Sequence, residues 1–119
     1  MPRNISFALT TDQIRKRTKW VTRRTGWEFL QPGDVLQGVV RGMGLKKGEK
    51  VQKLSRILVL RVNREPLSAL LDDYEYGKAE ANLEGFPELD GEGFVKMFCM
   101  HGNCTSDTVV TRISFDYLD

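Results

Sequence analysis

The chain begins on an alternating pattern. Ile5, Phe7 and Leu9 are separated by Asn4, Ser6 and Ala8, the period-two signature of a strand with one buried face. Thr10, Thr11 and Asp12 then offer helix N-cap residues, with Gln13 three positions after Thr10 as in a capping box, and they predict a short helix to about Arg17 anchored by Ile14. Trp20 to Arg24 reads as extended and Gly26 breaks it. Gln31-Pro32-Gly33-Asp34 is a turn, with Val35 to Val40 as the strand that follows. The lysine-rich stretch from Gly42 to Lys53, with Gly42, Gly44 and Gly48, reads as an exposed loop or a loosely held hairpin. Ile57 to Val62 is nearly continuous in apolar residues and suits a central strand.

The pattern then changes to helical spacing. Pro66 is placed to open a helix in which Leu67, Leu70, Leu71 and Tyr74 form one buried stripe. Tyr76, Ala79 and Leu83 suggest a second helix with Gly85 as its C-cap, and Phe94, Met97 and Phe98 a third that ends near Gly102. Val109, Thr111, Ile113, Phe115 and Tyr117 alternate with Val110, Arg112, Ser114 and Asp116 and give a long closing strand. Strands come first, helices cluster before the last strand, and that strand returns to the sheet. This order predicts an α+β fold with a curled or barrel-like, mostly antiparallel sheet rather than a doubly wound one. With 119 residues and neither internal repeat nor linker, residues 1–119 are expected to form one domain.

Composition narrows the class. The chain is 40% hydrophobic and 29% charged, as globular proteins are, and no apolar run approaches the roughly 20 residues that cross a bilayer. Met1-Pro2-Arg3-Asn4 leads into a strand pattern rather than a signal peptide, so a cytoplasmic protein with no membrane partner is expected. Cys99, His101 and Cys104 form Cys-x-His-x-x-Cys, which supplies three of the four ligands a structural zinc needs, with no second pair elsewhere. Two free thiols, no metal and no cofactor are expected.

Charge is unevenly distributed. Residues 1–64 hold 15 Lys and Arg against 4 Asp and Glu, a balance of +11, whereas the remainder holds 3 against 12, a balance of −9. Either the first half builds a basic surface that attracts phosphates, or the two halves pack together and neutralise each other.

The segment Arg17-Thr18-Lys19-Trp20-Val21-Thr22-Arg23-Arg24 concentrates cations, a hydroxyl and an indole at a helix-to-strand junction. In a regular strand Thr22 and Arg24 share a face, with Trp20 in the same parity, and Lys19 points the other way. If Lys19 lies on the turn before the strand, that rule lapses and its ammonium can swing toward Thr22. There it can bind an oxyanion or, with its pKa lowered by burial, take the hydroxyl proton.

This segment resembles the ASCH family of PUA-like proteins, whose signature Gly-x-Lys-x-x-Glu-x-Arg it matches at Lys19 and Arg24 and departs from at Arg17 and Thr22. The threonine is shared with a small branch of ASCH-like N4-acetylcytidine amidohydrolases. Pro32-Gly33-Asp34, Glu84-Gly85-Phe86 and Phe94-x-x-Met97-Phe98 are likewise similar to phage and bacterial members. The resemblance implies a PUA-like fold, Thr22 as nucleophile, Lys19 as its activator and Glu84 as a third catalytic group, with Glu75 and Glu80 as alternatives on the same stretch. The expected substrate is a modified nucleoside bound by Arg24, Arg23 and Trp20, with Trp20, by its parity with Thr22 and Arg24, stacked on the base. The alternative is an RNA-binding module, with or without ribonuclease activity, that uses Arg15, Lys16, Arg17, Arg23 and the Lys46 to Lys53 loop. No residue names a protein partner, although the acidic second half is a surface for one.

Overall fold

The computed structural model describes residues 2–42 and 45–119. Chain order is β1 (Arg3–Ser6), α1 (Thr11–Arg15), β2 (Val21–Arg24), β3 (Val35–Val39), β4 (Lys53–Pro66), α2 (Ala69–Asp72), α3 (Tyr74–Leu83), α4 (Gly91–Gly102) and β5 (Val109–Tyr117). The strands form one five-stranded sheet in the order β1-β3-β4-β5-β2. Only β1 and β3 pair in parallel, so the sheet is mostly antiparallel and curls into a half-barrel flanked by short helices, the expected α+β class.

Two apolar clusters hold it. Ile5, Phe7, Ile14, Leu36, Ile57, Val59, Ile113 and Phe115 fill the concave side beneath α1. Leu67, Leu70, Ala81, Phe94, Val95 and Val110 join the three later helices to the end of β5. The curl brings the sheet's two edge strands together, and a side chain bridges them: the Arg24 guanidinium at the end of β2 donates through Nη2 to the Ser6 carbonyl at the end of β1, at 2.6 Å.

Several local expectations are corrected. Leu9 is 59% exposed, because β1 ends at Ser6 and the chain turns where the Thr10 amide and the Thr11 hydroxyl both donate to the Phe7 carbonyl. The capping box at Thr10 does not form: Gln13 instead reaches across to the Gly85 carbonyl at 3.2 Å. Pro66 ends β4 opposite Val109 rather than opening a helix. The stripe from Leu67 to Tyr74 is broken at Asp73, which is extended and caps α3 by accepting from the Tyr76 amide. Leu67 and Leu70 are therefore buried, while Leu71 and Tyr74 face outward.

Of the expected Tyr76, Ala79 and Leu83 on α3, Tyr76 packs partly buried against the second cluster and Ala79 is exposed, while the fully buried residues are Gly77, Glu80 and Ala81. Gly77 is there because α3 crosses α2 and α4 at backbone distance: a Cβ at this position would lie 2.2 Å from the Leu70 carbonyl oxygen and 2.9 Å from the Gly91 Cα. β4 is the middle strand, as its apolar run predicts, but it is 14 residues long and leaves Leu60 half exposed beside a bulge. The described part of the 42–53 stretch carries no helix and no strand before Lys53; Gly44 lies outside the described residues. Among the described residues no helix is long and apolar enough to cross a membrane.

Candidate functional site

Lys19 follows α1 and precedes β2, so strand parity does not govern it. The turn that sets it is made by Arg17, which adopts φ +58°, a left-handed conformation that glycine adopts most readily. This is the position where the resembled signature carries glycine. Lys19 is then fixed from both sides: its carbonyl accepts from the Tyr117 hydroxyl at 2.5 Å, and its ammonium runs inward to the end of α3. There Nζ donates to the Glu84 carbonyl at 2.8 Å and to Glu84 Oε1 at 2.7 Å. A lysine on the carbonyl end of a helix satisfies an acceptor that has no partner within the helix and opposes the negative end of its dipole. Gly85 makes the approach possible: at φ +99° it turns the chain away, and a Cβ on it would meet the Gln13 side chain at 2.7 Å.

On β2, Val21, Thr22 and Arg23 are all buried, which is unusual for a tripeptide with two polar members. Thr22 lies opposite Ile113 and points to the concave side. Its Oγ1 accepts from Arg24 Nε at 3.1 Å, and the Arg24 guanidinium lies over the Phe7 ring, 5.0 Å from its centroid. Because Arg24 occupies one lone pair of Oγ1, the threonine hydrogen is left for another acceptor.

Arg23 points to the opposite face. It lies directly across from Arg112, a like-charge pair that is unfavourable in a sheet unless anions separate it. Glu80 does so, accepting from Arg23 and, through both oxygens, from Arg112 at 2.6 and 3.1 Å. Arg23 also donates to Glu65 Oε1 at 2.6 and 3.0 Å and to Glu84 Oε2 at 3.0 Å. Glu84 is thus held by one cation on each oxygen, Lys19 and Arg23. Removing either partner of such a buried pair leaves an uncompensated charge, which is why the network must be complete to be tolerated.

Charge counting exposes an imbalance. Lys19, Arg23, Arg24 and Arg112 face Glu65, Glu80 and Glu84, so the cluster carries one excess positive charge when all seven are ionised. It balances if Lys19 is neutral. Burial lowers the Lys19 pKa from its ordinary value; Glu84 opposes this, while Arg24 and Arg23 add to it. Burial likewise pushes Arg24 down, with only the more distant Glu84 charge in opposition. Burial works against Arg23 as well, but there Glu84, Glu65 and Glu80 outweigh it and the net shift is upward.

These groups border a cavity of about 320 Å³. Lys19, Thr22 to Thr25 and Glu84 contribute to one side, Ser6 to Thr10 to another, and Phe86, Phe94, Met97, Phe98, His101 and Gly102 to a third. The volume falls at the lower end of the roughly 300–1,000 Å³ of small-molecule sites. A mostly apolar lining with a few convergent polar groups has the same character.

The structure therefore brings Lys19, Thr22, Arg24 and Glu84 together. Among the three glutamates, Glu84 faces the cavity, Glu80 is committed to the two arginines, and Glu75 is exposed. Arg23 also borders the cavity, with its guanidinium buried and bound by three carboxylates. One expected substrate ligand is corrected. Trp20 precedes β2, outside the parity of the strand, and is not part of the cavity; its ring packs edge-on against Tyr117, 5.2 Å between centroids. The phenylalanine rings that do line the cavity are those of Phe7, Phe94 and Phe98, which the sequence pattern assigns to apolar stripes, and of Phe86, which follows Glu84-Gly85. Across the whole chain the two charge halves do meet: Lys19, Arg23 and Arg56 of the first pair with Glu84, Glu65, Glu80 and Asp119 of the second.

Fold and site define a curled α+β half-barrel with a buried ionic cluster beside a small cavity. Protein EF3133 from Enterococcus faecalis V583, described by the family model DUF984, has a similar crystal structure: the TM-score is 0.63 over 100% of this chain and 81% of that one, at 16% identity. That likeness concerns the fold alone. No family model matches the chain, and no curated protein matches it.

Proposed function

We propose that the cavity is the active site of an amidohydrolase of the ASCH-like type that removes an acyl group from the exocyclic amine of a cytidine-type nucleoside. The observation that carries this reading is the Lys19 ammonium: it is buried, held by Glu84, depressed in pKa, and borders the same cavity as a threonine hydroxyl that Arg24 orients. Neutral Lys19 accepts the Thr22 hydroxyl proton as Oγ1 attacks the acyl carbonyl carbon. Arg24, already directed at Oγ1, opposes the negative charge that develops there. The carbon–nitrogen bond then breaks, the proton passes from Lys19 to the leaving amine, and water hydrolyses the threonine ester to release the acid. Glu84 fixes the lysine nitrogen with one oxygen while Arg23 holds the other. The cavity phenylalanines replace Trp20 as the surface for the pyrimidine.

The test is release of cytidine from N4-acetylcytidine by the purified chain. Lys19→Ala is expected to lower the rate by about 10²-fold or more, the usual contribution of a general base. Because the change leaves Glu84 with Arg23 as its one remaining cation, stability is expected to fall, and the rate is compared under conditions where circular dichroism shows both chains folded. No turnover of any acylated nucleoside by the unaltered chain would remove the reading.

A second reading, RNA binding, is favoured by one observation: Arg15, Lys16, Lys46, Lys47 and Lys50 are exposed. It requires affinity for single-stranded RNA that falls steeply with added salt, as counterion release dictates. Salt-insensitive binding, or none, would remove it.

A further inference from the structure

Helix α4 ends on Gly102, and Asn103 follows in the left-handed conformation at φ +54°. The Asn103 and Cys104 amides both turn back to the Cys99 carbonyl, the latter at 3.4 Å. This is a Schellman-type ending, in which the residue just past the left-handed position usually makes an apolar contact with the residue five places earlier in the helix. Here both partners are cysteines. Their Sγ atoms are 3.4 Å apart, both thiols are free, and both residues are partly exposed. The two residues between Met100 and Asn103, His101 and Gly102, belong to the cavity wall.

We propose that Cys99 and Cys104 form a reversible oxidation site, closing to a disulfide that pins the end of α4 and with it the His101–Gly102 wall of the cavity. The oxidant is a low-molecular-weight disulfide of the glutathione class. The Cys104 thiolate, on the loop side of the turn, attacks one sulfur of the oxidant and expels one thiolate, leaving a mixed disulfide on Cys104. Cys99 then loses its proton and attacks the Cys104 sulfur, which releases the second thiolate. The two protons from the cysteines end on the two released thiols; the protein pair is oxidised by two electrons and the reagent is reduced by two. Burial and the neighbouring Cys104 raise the Cys99 pKa, so the second step accelerates as pH rises. The turn already holds the sulfurs in van der Waals contact, so closure has to shorten their separation from 3.4 Å to the roughly 2.0 Å of a disulfide.

The test exposes the full chain to oxidised glutathione, quenches it with acid, alkylates it with N-ethylmaleimide under denaturing conditions, and records the intact mass. The expected product is a monomer lighter by two hydrogens that takes no maleimide and reverts with dithiothreitol. Two maleimides per chain, a persistent glutathione adduct, or chains linked to each other would overturn the proposal. Cys99→Ser is expected to retain one glutathione on Cys104; a variant that takes none would overturn the assigned order of attack. Hydrogen exchange at amides 99–104 is expected to slow at least tenfold in the oxidised chain, and unchanged exchange would overturn the link to the cavity wall. Neither readout requires turnover, so failure of the amidohydrolase reading leaves both outcomes interpretable.

Discussion

Lys19 donates to Glu84 twice, to its carboxylate at 2.7 Å and to its backbone carbonyl at 2.8 Å. One side chain thus closes a helix end and takes its place in an ionic cluster. Both contacts hold the lysine in place. Burial is what loosens its proton most; the Glu84 carboxylate opposes this, and Arg24 and Arg23 add to it.

The Lys19 proton should be visible in pH profiles. In the unfolded chain lysine titrates near its ordinary value of 10.5, and in the folded chain it does so below that value. Between those two points the unfolded state binds more protons, so this residue makes stability rise with pH. Below the folded pKa the full cost of burying the charge is present. The expected outcome is that Lys19→Met flattens this rise relative to the unaltered chain in urea titrations made across that interval. In parallel, kcat/KM for an acylated cytidine should climb with pH along a limb whose midpoint is below 10.5.

Glu80 acts in the opposite pH range. Burial alone would raise its pKa, but hydrogen bonds from Arg112 and Arg23 and their charges carry it below the ordinary 4.5. A carboxylate depressed on folding contributes stability that is complete above the unfolded pKa and is lost as pH falls through the folded one. Glu80→Gln should therefore unfold with a weaker pH dependence below 4.5 than the unaltered chain, as measured by acid titration of the circular dichroism signal.

Gly77 to Ala is expected to destabilise the fold, although the same change in an open helix stabilises by roughly 0.5–1 kcal/mol. The added Cβ would lie 2.2 Å from the Leu70 carbonyl oxygen, a backbone atom that cannot rotate away. The helices must separate, at a cost of about 1–3 kcal/mol, as for other overpacked positions. Chemical denaturation gives the sign directly.

How much of this was legible in the sequence follows from which residues announce themselves by pattern. β5 and α4 carry long regular alternation or helical spacing, and they appear where Val109–Tyr117 and the Phe94-Met97-Phe98 stripe place them. Lys19, Thr22 and Arg24 were identifiable because a motif, not a periodicity, joins them. The face of α3 is only partly legible because periodicity counts apolar residues such as Tyr76 and Ala81, whereas a glycine and a glutamate with distant partners share the buried face. The surroundings of Arg23 and Trp20 are hidden for related reasons. The sequence does not reveal that three carboxylates from β4 and α3 converge on Arg23, or that Trp20 falls outside the strand whose parity it was given. The thiol contact at the end of α4 depends on the left-handed Asn103, a backbone state that spacing alone does not specify.

The most direct measurement is the rate of N4-acetylcytidine hydrolysis by Thr22→Ser and Thr22→Val. Serine keeps the hydroxyl beside Arg24 Nε, and valine keeps the shape without it. The account predicts measurable turnover with serine and a loss of about 10²-fold or more with valine, each in a folded protein. A valine variant that turns over as fast as the unaltered chain would contradict it.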